Sequence, residues 1–157
     1  MPVNDVIIKK VEALNVASIR DIIPAYNEIS RLFNEIFPYL GRQHAKFAGP
    51  TMAIYHDSEY REKNADVELA VPISGIVPAN QRITVYQLPA IDQMASLIHK
   101  GPYEKLGQAY QALMSWIGAN GYQIAGPNRE IYLKGPGQFH KGNPDDYITE
   151  IQIPIKK

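Results

Sequence analysis

The sequence lacks three features whose absence limits what the protein can do. It contains no cysteine, so disulfide bonds and thiolate-ligated metal sites are excluded. Its 16 Lys and Arg residues balance 16 Asp and Glu residues, whereas a surface that binds nucleic acid is typically basic. No apolar run approaches the roughly 18 residues of a membrane-spanning helix. We therefore expect a cytoplasmic protein that neither crosses a membrane nor binds nucleic acid directly through this segment.

The four histidines do not have the spacing of a metal site. Paired ligands on one helix are commonly separated by three residues, and His44, His56, His99 and His140 show no such spacing. No arrangement of Ser, His and Asp typical of a nucleophilic enzyme is evident. We expect no bound metal and no cofactor.

An internal repeat runs through the chain. The segment FAGPTMAIY at residues 47–55 resembles IAGPNREIY at residues 124–132, with Gly126 lying 77 residues after Gly49. The same offset aligns upstream apolar positions that step by three and four residues, the spacing of a buried helical stripe. These positions are Tyr26, Ile29, Phe33, Ile36 and Leu40 in the first half and Tyr103, Leu106, Tyr110, Leu113 and Ile117 in the second. Two long helices are therefore predicted.

Each half is predicted to fold as a β-α-β-β unit. A β-forming run precedes each predicted helix, at residues 6–19 and 83–98, and two shorter β-forming runs follow it. We expect one domain spanning residues 1–157, with repeat one at about 5–72 and repeat two at about 82–155. The predicted fold class is α+β, with antiparallel sheets, two long helices, pseudo-two-fold symmetry and a central ligand cleft.

An acidic residue recurs in the last predicted strand of each half. Because side chains alternate along a strand, Glu68 and Glu150 are predicted to lie on the face that does not receive the helices, together with Tyr55 and Tyr132. A lone glutamate on such a face is commonly exposed. Its recurrence, and neighbours that are neither Lys nor Arg, favour a covered face instead. The predicted ligand-binding residues are Glu150, Tyr132, Glu68, Tyr55, Gln152 and Ala70.

These residue types favour a cationic ligand. A partly desolvated carboxylate requires a positive partner. Tyrosine rings add cation–π attraction of about 0.5–2 kcal/mol. A bulky, lipophilic, positively charged small molecule fits both requirements.

Several stretches carry a resemblance to a known family. REIY at 129–132, followed after a loop by YITEIQIPI at 147–155, resembles the GyrI-like effector-binding domain of multidrug-responsive MerR-type and AraC-type transcription regulators. GPYEKLGQAYQALMSWIGANGY at 101–122 resembles the second helix of that domain, and ADVELAVPI at 65–73 echoes it in the first half. The resemblance spans roughly residues 6–155.

The resemblance implies a duplicated β-α-β-β fold with a pocket between the halves and an acidic residue at its base. By position, Glu150 would be that acid and Tyr132 its aromatic partner, with Glu68 and Tyr55 as their counterparts. Regulators of this family carry a DNA-binding helix-turn-helix segment before the effector domain, and only MPVND precedes the first predicted strand. We therefore expect either a stand-alone drug-binding protein or the ligand sensor of a regulator with a fused DNA-binding domain.

Two other functions stay open from sequence alone. Some stand-alone members of the class that the chain resembles hydrolyse strained electrophilic small molecules, and Glu150 would then be the general base for a water that Tyr132 orients. With one candidate base and no second catalytic group, we expect a binding module rather than an enzyme. A role in inhibiting a protein partner is the third hypothesis. The loop at 134–147 is predicted to be either a lid over the pocket or a plain hairpin connection.

Overall fold

A computed structural model describes residues 5–57, 63–135 and 142–157. The predicted α+β class, with antiparallel strands and two α-helices in the described ranges, is confirmed. Residues 136–141 of the predicted lid at 134–147, which include His140, lie outside the described residues. No helix within the ranges described is long and apolar enough to cross a membrane.

The chain separates into two compact units. Unit A consists of residues 12–90, and unit B joins the chain up to Val11 to residues 91–157. In chain order the main elements are β1 (Ile7–Val11), β2 (Leu14–Ile23), α1 (Ser30–Arg42), β3 (Lys46–Phe47), β4 (Met52–Tyr55), β5 (Ala65–Ser74), β6 (Ile83–Leu88), β7 (Ile91–Lys100), α2 (Leu106–Ala119), β8 (Gln123–Ile124), β9 (Asn128–Lys134) and β10 (Ile148–Lys156).

Unit A pairs its long strands in the order β4-β5-β2-β6, all antiparallel, with the short β3 pairing with the end of β5. Its helix α1 buries Leu32, Ile36 and Leu40, which lie one turn apart. Two of these three residues belong to the predicted stripe. Phe33, also predicted there, is only partly buried.

Unit B pairs its long strands in the order β1-β7-β10-β9, with β8 pairing with the end of β10. Its helix α2 buries Leu106, Ala109, Leu113 and Ile117. These side chains pack with residues of β7 and β10 in one apolar core, whose buried members on those strands are Ala95, Leu97, Ile151, Ile153 and Ile155. The predicted stripe of the second helix is therefore confirmed at its three aliphatic positions.

The run predicted before each helix forms two strands, and a two-residue strand, β3 or β8, follows each helix, so the predicted β-α-β-β order is short by two strands in each half. Residues 6–19 supply β1 to unit B and the start of β2 to unit A. Residues 83–98 supply β6 to unit A and most of β7 to unit B. Pro89 lies between β6 and β7, where its missing N–H interrupts the strand hydrogen bonds. The first strand of the chain thus belongs to the unit that the C-terminal residues form.

Candidate functional site

In unit B, Glu150 and Tyr132 point to opposite faces of the sheet. The register of β9 and β10 places Tyr132 opposite Thr149, and Ile131 opposite Glu150. Directly opposed residues of antiparallel strands share a face, so Tyr132 lies on the side of Thr149 and not of Glu150. The prediction that this acid and this tyrosine share a face is wrong.

Unit A shows the same separation. Tyr55 is opposite Val67, whereas Ile54 is opposite Glu68. Glu68 and Ala70 share a face as predicted, and Tyr55 lies on the other one. Ala70 is fully buried. Alternation predicts correctly which residues of one strand share a face. Which residues of two neighbouring strands share a face depends on the register between them, and this register was predicted wrongly in both units.

The carboxylate of Glu150 is buried among three donors, all of which reach Oε2. Lys9 Nζ lies 2.5 Å away, Ser96 Oγ donates over 2.6 Å and Gln152 Nε2 donates over 3.0 Å. Glu150 is 7% exposed and Gln152 is 6% exposed. The predicted pair Glu150 and Gln152 thus forms one hydrogen-bonded group, with a lysine already bound to the acid. Lys9 was not among the predicted site residues.

This arrangement holds Glu150 ionised. Burial raises the pKa of its carboxyl, but the hydrogen bonds from Gln152, Lys9 and Ser96, with the charge of Lys9, bring that pKa below the ordinary value of 4.5. A carboxyl whose pKa is lower in the folded state stabilises the fold above its unfolded pKa, and this stabilisation is lost as pH falls through the folded value.

We therefore expect the free energy of unfolding to fall as pH drops below about 4.5, the range in which unfolded glutamates bind protons. Glu150→Gln should show a shallower dependence than the parent, because the substituted side chain does not titrate. Urea unfolding at a series of pH values measures this, with exposed Glu104→Gln as the matched control. Identical pH dependence in E150Q and the parent would contradict the assignment of an ionised, stabilising Glu150.

Glu68 of unit A is held by different partners. His56 Nε2 donates to Oε1 over 2.8 Å, and the hydroxyl of Tyr86 donates to Oε2. Arg20, which is opposite Glu68 on β2, forms a bidentate pair with Asp66 instead. Glu68 is 5% exposed, so it too is a buried acid whose donors come from its own unit.

A third buried acid, Glu130, lies with tyrosines on the α2 side of the unit B sheet. Tyr110 of α2 donates its hydroxyl to Glu130 Oε2 over 2.6 Å, and Tyr132 donates to Oε1 over 3.1 Å. Asn128 Nδ2 donates to the Tyr110 oxygen over 2.9 Å. Glu130 is 3% exposed. It did not figure among the predicted site residues.

Two more tyrosines extend this group. The ring of Tyr103 lies 5.9 Å from that of Tyr132, edge to face, and 5.2 Å from that of Tyr147. Burial, together with the charges of Tyr147 and Glu130, raises the pKa of Tyr103 to about 12. We call Tyr103, Tyr110, Tyr132 and Tyr147 with Glu130 the tyrosine cluster. Tyr147 is buried, whereas the other three rings are partly exposed, so solvent reaches rings that lie beside the buried carboxyl group of Glu130.

A difference between the two halves could have revealed this cluster from sequence. The 77-residue offset places Ala53 at the position of Glu130 and Phe33 at the position of Tyr110. The corresponding tyrosine, Tyr55, is retained. The second half alone therefore combines an acid with phenol donors at these positions, a signal that the search for features common to both halves passes over.

Two surface hollows lie elsewhere. One runs along α1, beside Glu28, Arg31 and Glu35, and another lies between His44 and Val77. Neither contains Glu68, Glu130 or Glu150. Among the residues that the structure describes, no group of three or more His, Asp and Glu side chains is placed to bind a metal ion. Neither hollow is lined by the tyrosine cluster. The combination of a buried acid with tyrosine rings nevertheless makes this cluster the candidate ligand site.

Comparisons with known proteins agree with this architecture. The family described as the GyrI-like small molecule binding domain matches residues 4–156. The comparison with curated proteins gives no match. A crystal structure of the EcmrR C-terminal domain is similar with a TM-score of 0.84 and 30% identity, covering 99% of each chain.

Two further solved structures extend the comparison. EcmrR in a cryo-EM structure of an EcmrR–DNA complex gives a TM-score of 0.83 at 30% identity over 98% of this chain, which spans 57% of the length of that EcmrR chain. A hydrolase from Listeria innocua gives a TM-score of 0.68 at 11% identity, covering 99% of this chain and 94% of that one. The likeness to the hydrolase shows a shared fold.

Proposed function

The chain belongs to the GyrI-like small molecule binding domain family, and we propose that it binds a lipophilic aromatic cation at the tyrosine cluster, with Glu130 as the counter-charge. One observation carries this proposal: a buried carboxylate lies beneath tyrosine rings that are partly open to solvent. A cation that displaces water there gains attraction from the carboxylate and from the ring faces.

Glu130 is a better anchor for such a ligand than Glu150. The ammonium group of Lys9 already lies 2.5 Å from Glu150, so a ligand at Glu150 must first displace it. Tyr110 and Tyr132 donate to Glu130, so this acid lies beside two aromatic rings whose faces can contact a cation. Ligand contacts by Glu150, Gln152, Glu68, Ala70 and Tyr55 stay predictions from the sequence.

We also propose that the chain is the ligand sensor of a transcription regulator or a stand-alone drug-binding protein. Its similarity to the EcmrR C-terminal domain supports a sensor role, and the DNA complex belongs to EcmrR, which is the longer chain. The internal duplication is part of the same proposal. Its support is the 77-residue offset together with one helix and an antiparallel sheet in each unit.

Hydrolysis with Glu150 as general base fits the structure less well. A general base works best when its pKa is near the working pH, and the pKa of Glu150 lies below its ordinary value. Tyr132, its predicted helper, points to the opposite face. We therefore propose binding without turnover.

Fluorescence titration with a cationic rhodamine dye tests the proposal. The parent should bind at micromolar concentration or tighter (about −8 kcal/mol). Glu130→Gln should weaken binding about 10- to 100-fold, or about 1.4–2.8 kcal/mol, because the amide cannot offer a negative charge. Glu104 is exposed and follows Tyr103 in the sequence, but it is not part of the cluster. Glu104→Gln therefore removes an equal charge outside the cluster, and this variant should bind the dye like the parent.

Glu150→Gln separates the two candidate anchors in the same titration. Loss of binding in E130Q but not in E150Q supports the tyrosine cluster. Loss in E150Q with parent-like binding in E130Q would overturn the proposal and support the acid predicted from sequence. An uncharged dye of similar size should bind the parent and E130Q equally.

A further inference from the structure

The second surface hollow, at the end of β5 in unit A, has a volume of about 310 Å³. Its lining residues are His44, Ala45, Lys46, Ser74, Gly75, Ile76 and Val77. β5 ends at Ser74, and Gly75 follows with a φ of 81°, a left-handed conformation that glycine adopts without strain. After this turn the side chain of Ile76 is 98% exposed at the hollow.

The short strand β3 gives this hollow an open strand edge. β3 is antiparallel to the end of β5, with Phe47 opposite Ile73. The next residue, Ala48, donates its N–H to the carbonyl oxygen of Pro72. Because hydrogen-bonded and non-hydrogen-bonded pairs alternate along an antiparallel ladder, the backbone N–H and C=O of Phe47 point away from β5. Within the described part of the chain β3 pairs with β5 alone, so this edge can accept an added strand.

Two large apolar side chains are exposed at the same place. Phe47 is 57% exposed, although its ring contacts Phe37 of α1 edge to face at 5.9 Å between centroids. Ile76, in the turn after β5, is almost fully exposed. Apolar side chains beside an open strand edge are typical of a surface that binds another chain.

The charge around the hollow is positive. Residues 41–50 and 72–81 contain no Asp or Glu, although the chain as a whole has 16 acidic residues. Arg42 and Lys46 in the first of these segments are exposed. Lys46 forms no ion pair with any residue that the structure describes. The surface is therefore complementary to a partner that carries negative charge.

We propose that this surface, which we call the β3 edge (Lys46, Phe47 and residues 74–77), binds an acidic peptide segment of another protein. The segment adds to β3 as an extended strand, places an apolar side chain against Phe47 and Ile76, and places carboxylates beside Lys46. The open backbone of Phe47 favours a peptide over a lipid surface, because a peptide supplies both an N–H and a C=O to the strand edge. The β3 edge belongs to unit A and the tyrosine cluster to unit B, so neither proposal requires the other.

Fluorescence anisotropy of the fluorescein-labelled peptide EELFEE with the full chain tests the charge. The parent should bind with a dissociation constant of the order of 100 μM or tighter at low salt. Lys46→Glu should weaken binding at least about 10-fold and should bind the labelled peptide KKLFKK better than the parent does. Lys10→Glu makes the same change at another exposed lysine and is the matched control, with binding like the parent.

Two further measurements test the apolar contact and the strand edge. Ile76→Ser should melt like the parent, because the side chain is exposed, but should bind EELFEE about fivefold more weakly. Ile98→Ser changes a side chain that is 45% exposed in unit B and should leave peptide binding unchanged. EELFEE with methyl groups on the backbone nitrogens of both leucine and phenylalanine should lose binding, because it cannot donate to β3.

Four results would each overturn the proposal. They are no binding of EELFEE by the parent, equal binding by K46E and the parent, equal binding of the methylated peptide, and equal binding by I76S. Without peptide binding, a dimer that I76S abolishes in sedimentation would assign the surface to a second copy of the chain. Binding to phosphatidylglycerol vesicles without peptide binding would assign it to a membrane surface. K46E should bind the rhodamine dye like the parent, so failure at the β3 edge is distinguishable from failure at the tyrosine cluster.

Discussion

Replacing Ile151 with alanine is expected to lower the free energy of unfolding by about 3 kcal/mol, within the range of about 2–5 kcal/mol for such truncations in a core. Ile151 is fully buried. On β10 it is opposite Leu97 of β7 and Glu130 of β9, and it packs in the core that α2 covers. Because β10 is held by strands on both sides, the surroundings cannot close fully over the space that the side chain leaves.

Urea unfolding of I151A measures this loss, with Ile98→Ala as the matched control. Ile98 is on the neighbouring strand but is 45% exposed, so its truncation should change stability by less than about 1 kcal/mol. I151A should also weaken dye binding, since Ile151 is the cross-strand neighbour of Glu130. A loss of stability no greater than that of I98A would show that β10 is not the packed centre of unit B.

Replacing Tyr147 with alanine is expected to have an effect of similar size, lowering the free energy of unfolding by about 3 kcal/mol, as truncation of a buried aromatic ring does. Tyr147 is 3% exposed, and its ring lies 5.2 Å from that of Tyr103. Two hydrogen bonds hold the backbone of Tyr147: the Gly101 N–H donates to its carbonyl oxygen, and its own N–H donates to the carbonyl oxygen of Pro144. Without the ring, Tyr103 loses a neighbour that holds it beside Tyr132.

The same variant should bind cationic dye at least about fivefold more weakly, the effect of losing about 1 kcal/mol of aromatic contact. Tyr147→Phe keeps the ring and removes only the hydroxyl, so it should retain most of the stability and of the affinity. Melting curves and dye titrations of both variants measure this. If Y147F behaves like Y147A, the hydroxyl rather than the ring is responsible, and the aromatic argument for the cluster is wrong.

The helices could be predicted because their signal is local. Leu106, Leu113 and Ile117 recur at helical spacing, and all three are buried as that spacing indicates. The faces of the strands could not be predicted in the same way. Alternation fixes which residues of β9 share a side, but only the register with β10 decides which side receives α2. That register follows from distant pairing that no local pattern encodes.

The missed acid has a related explanation. Glu68 and Glu150 drew attention because both halves carry them, yet each is satisfied by partners within its own unit. Glu130 lies at a position where the halves differ, because the equivalent residue of the first half, 77 positions earlier, is Ala53. Features that both halves share can serve the fold, whereas a ligand that binds once needs its counter-charge in one half. A comparison of the halves for differences leads to Glu130 and to the site that we propose at the tyrosine cluster.

The exchange of β1 into unit B has a consequence for synthesis on the ribosome. Val11 is followed by about 80 residues before β7, its pairing partner, is made, which takes about 4–16 s at about 5–20 residues per second. During that delay β1, which contains Ile7 and Ile8, lacks its partner strand β7. An unpaired apolar strand of this kind can pair with a strand of another nascent chain. Lys9 and Lys10 follow directly, and adjacent positive charges discourage such pairing. We therefore expect the two lysines to oppose aggregation of the nascent chain, before Lys9 pairs with Glu150 in the folded protein.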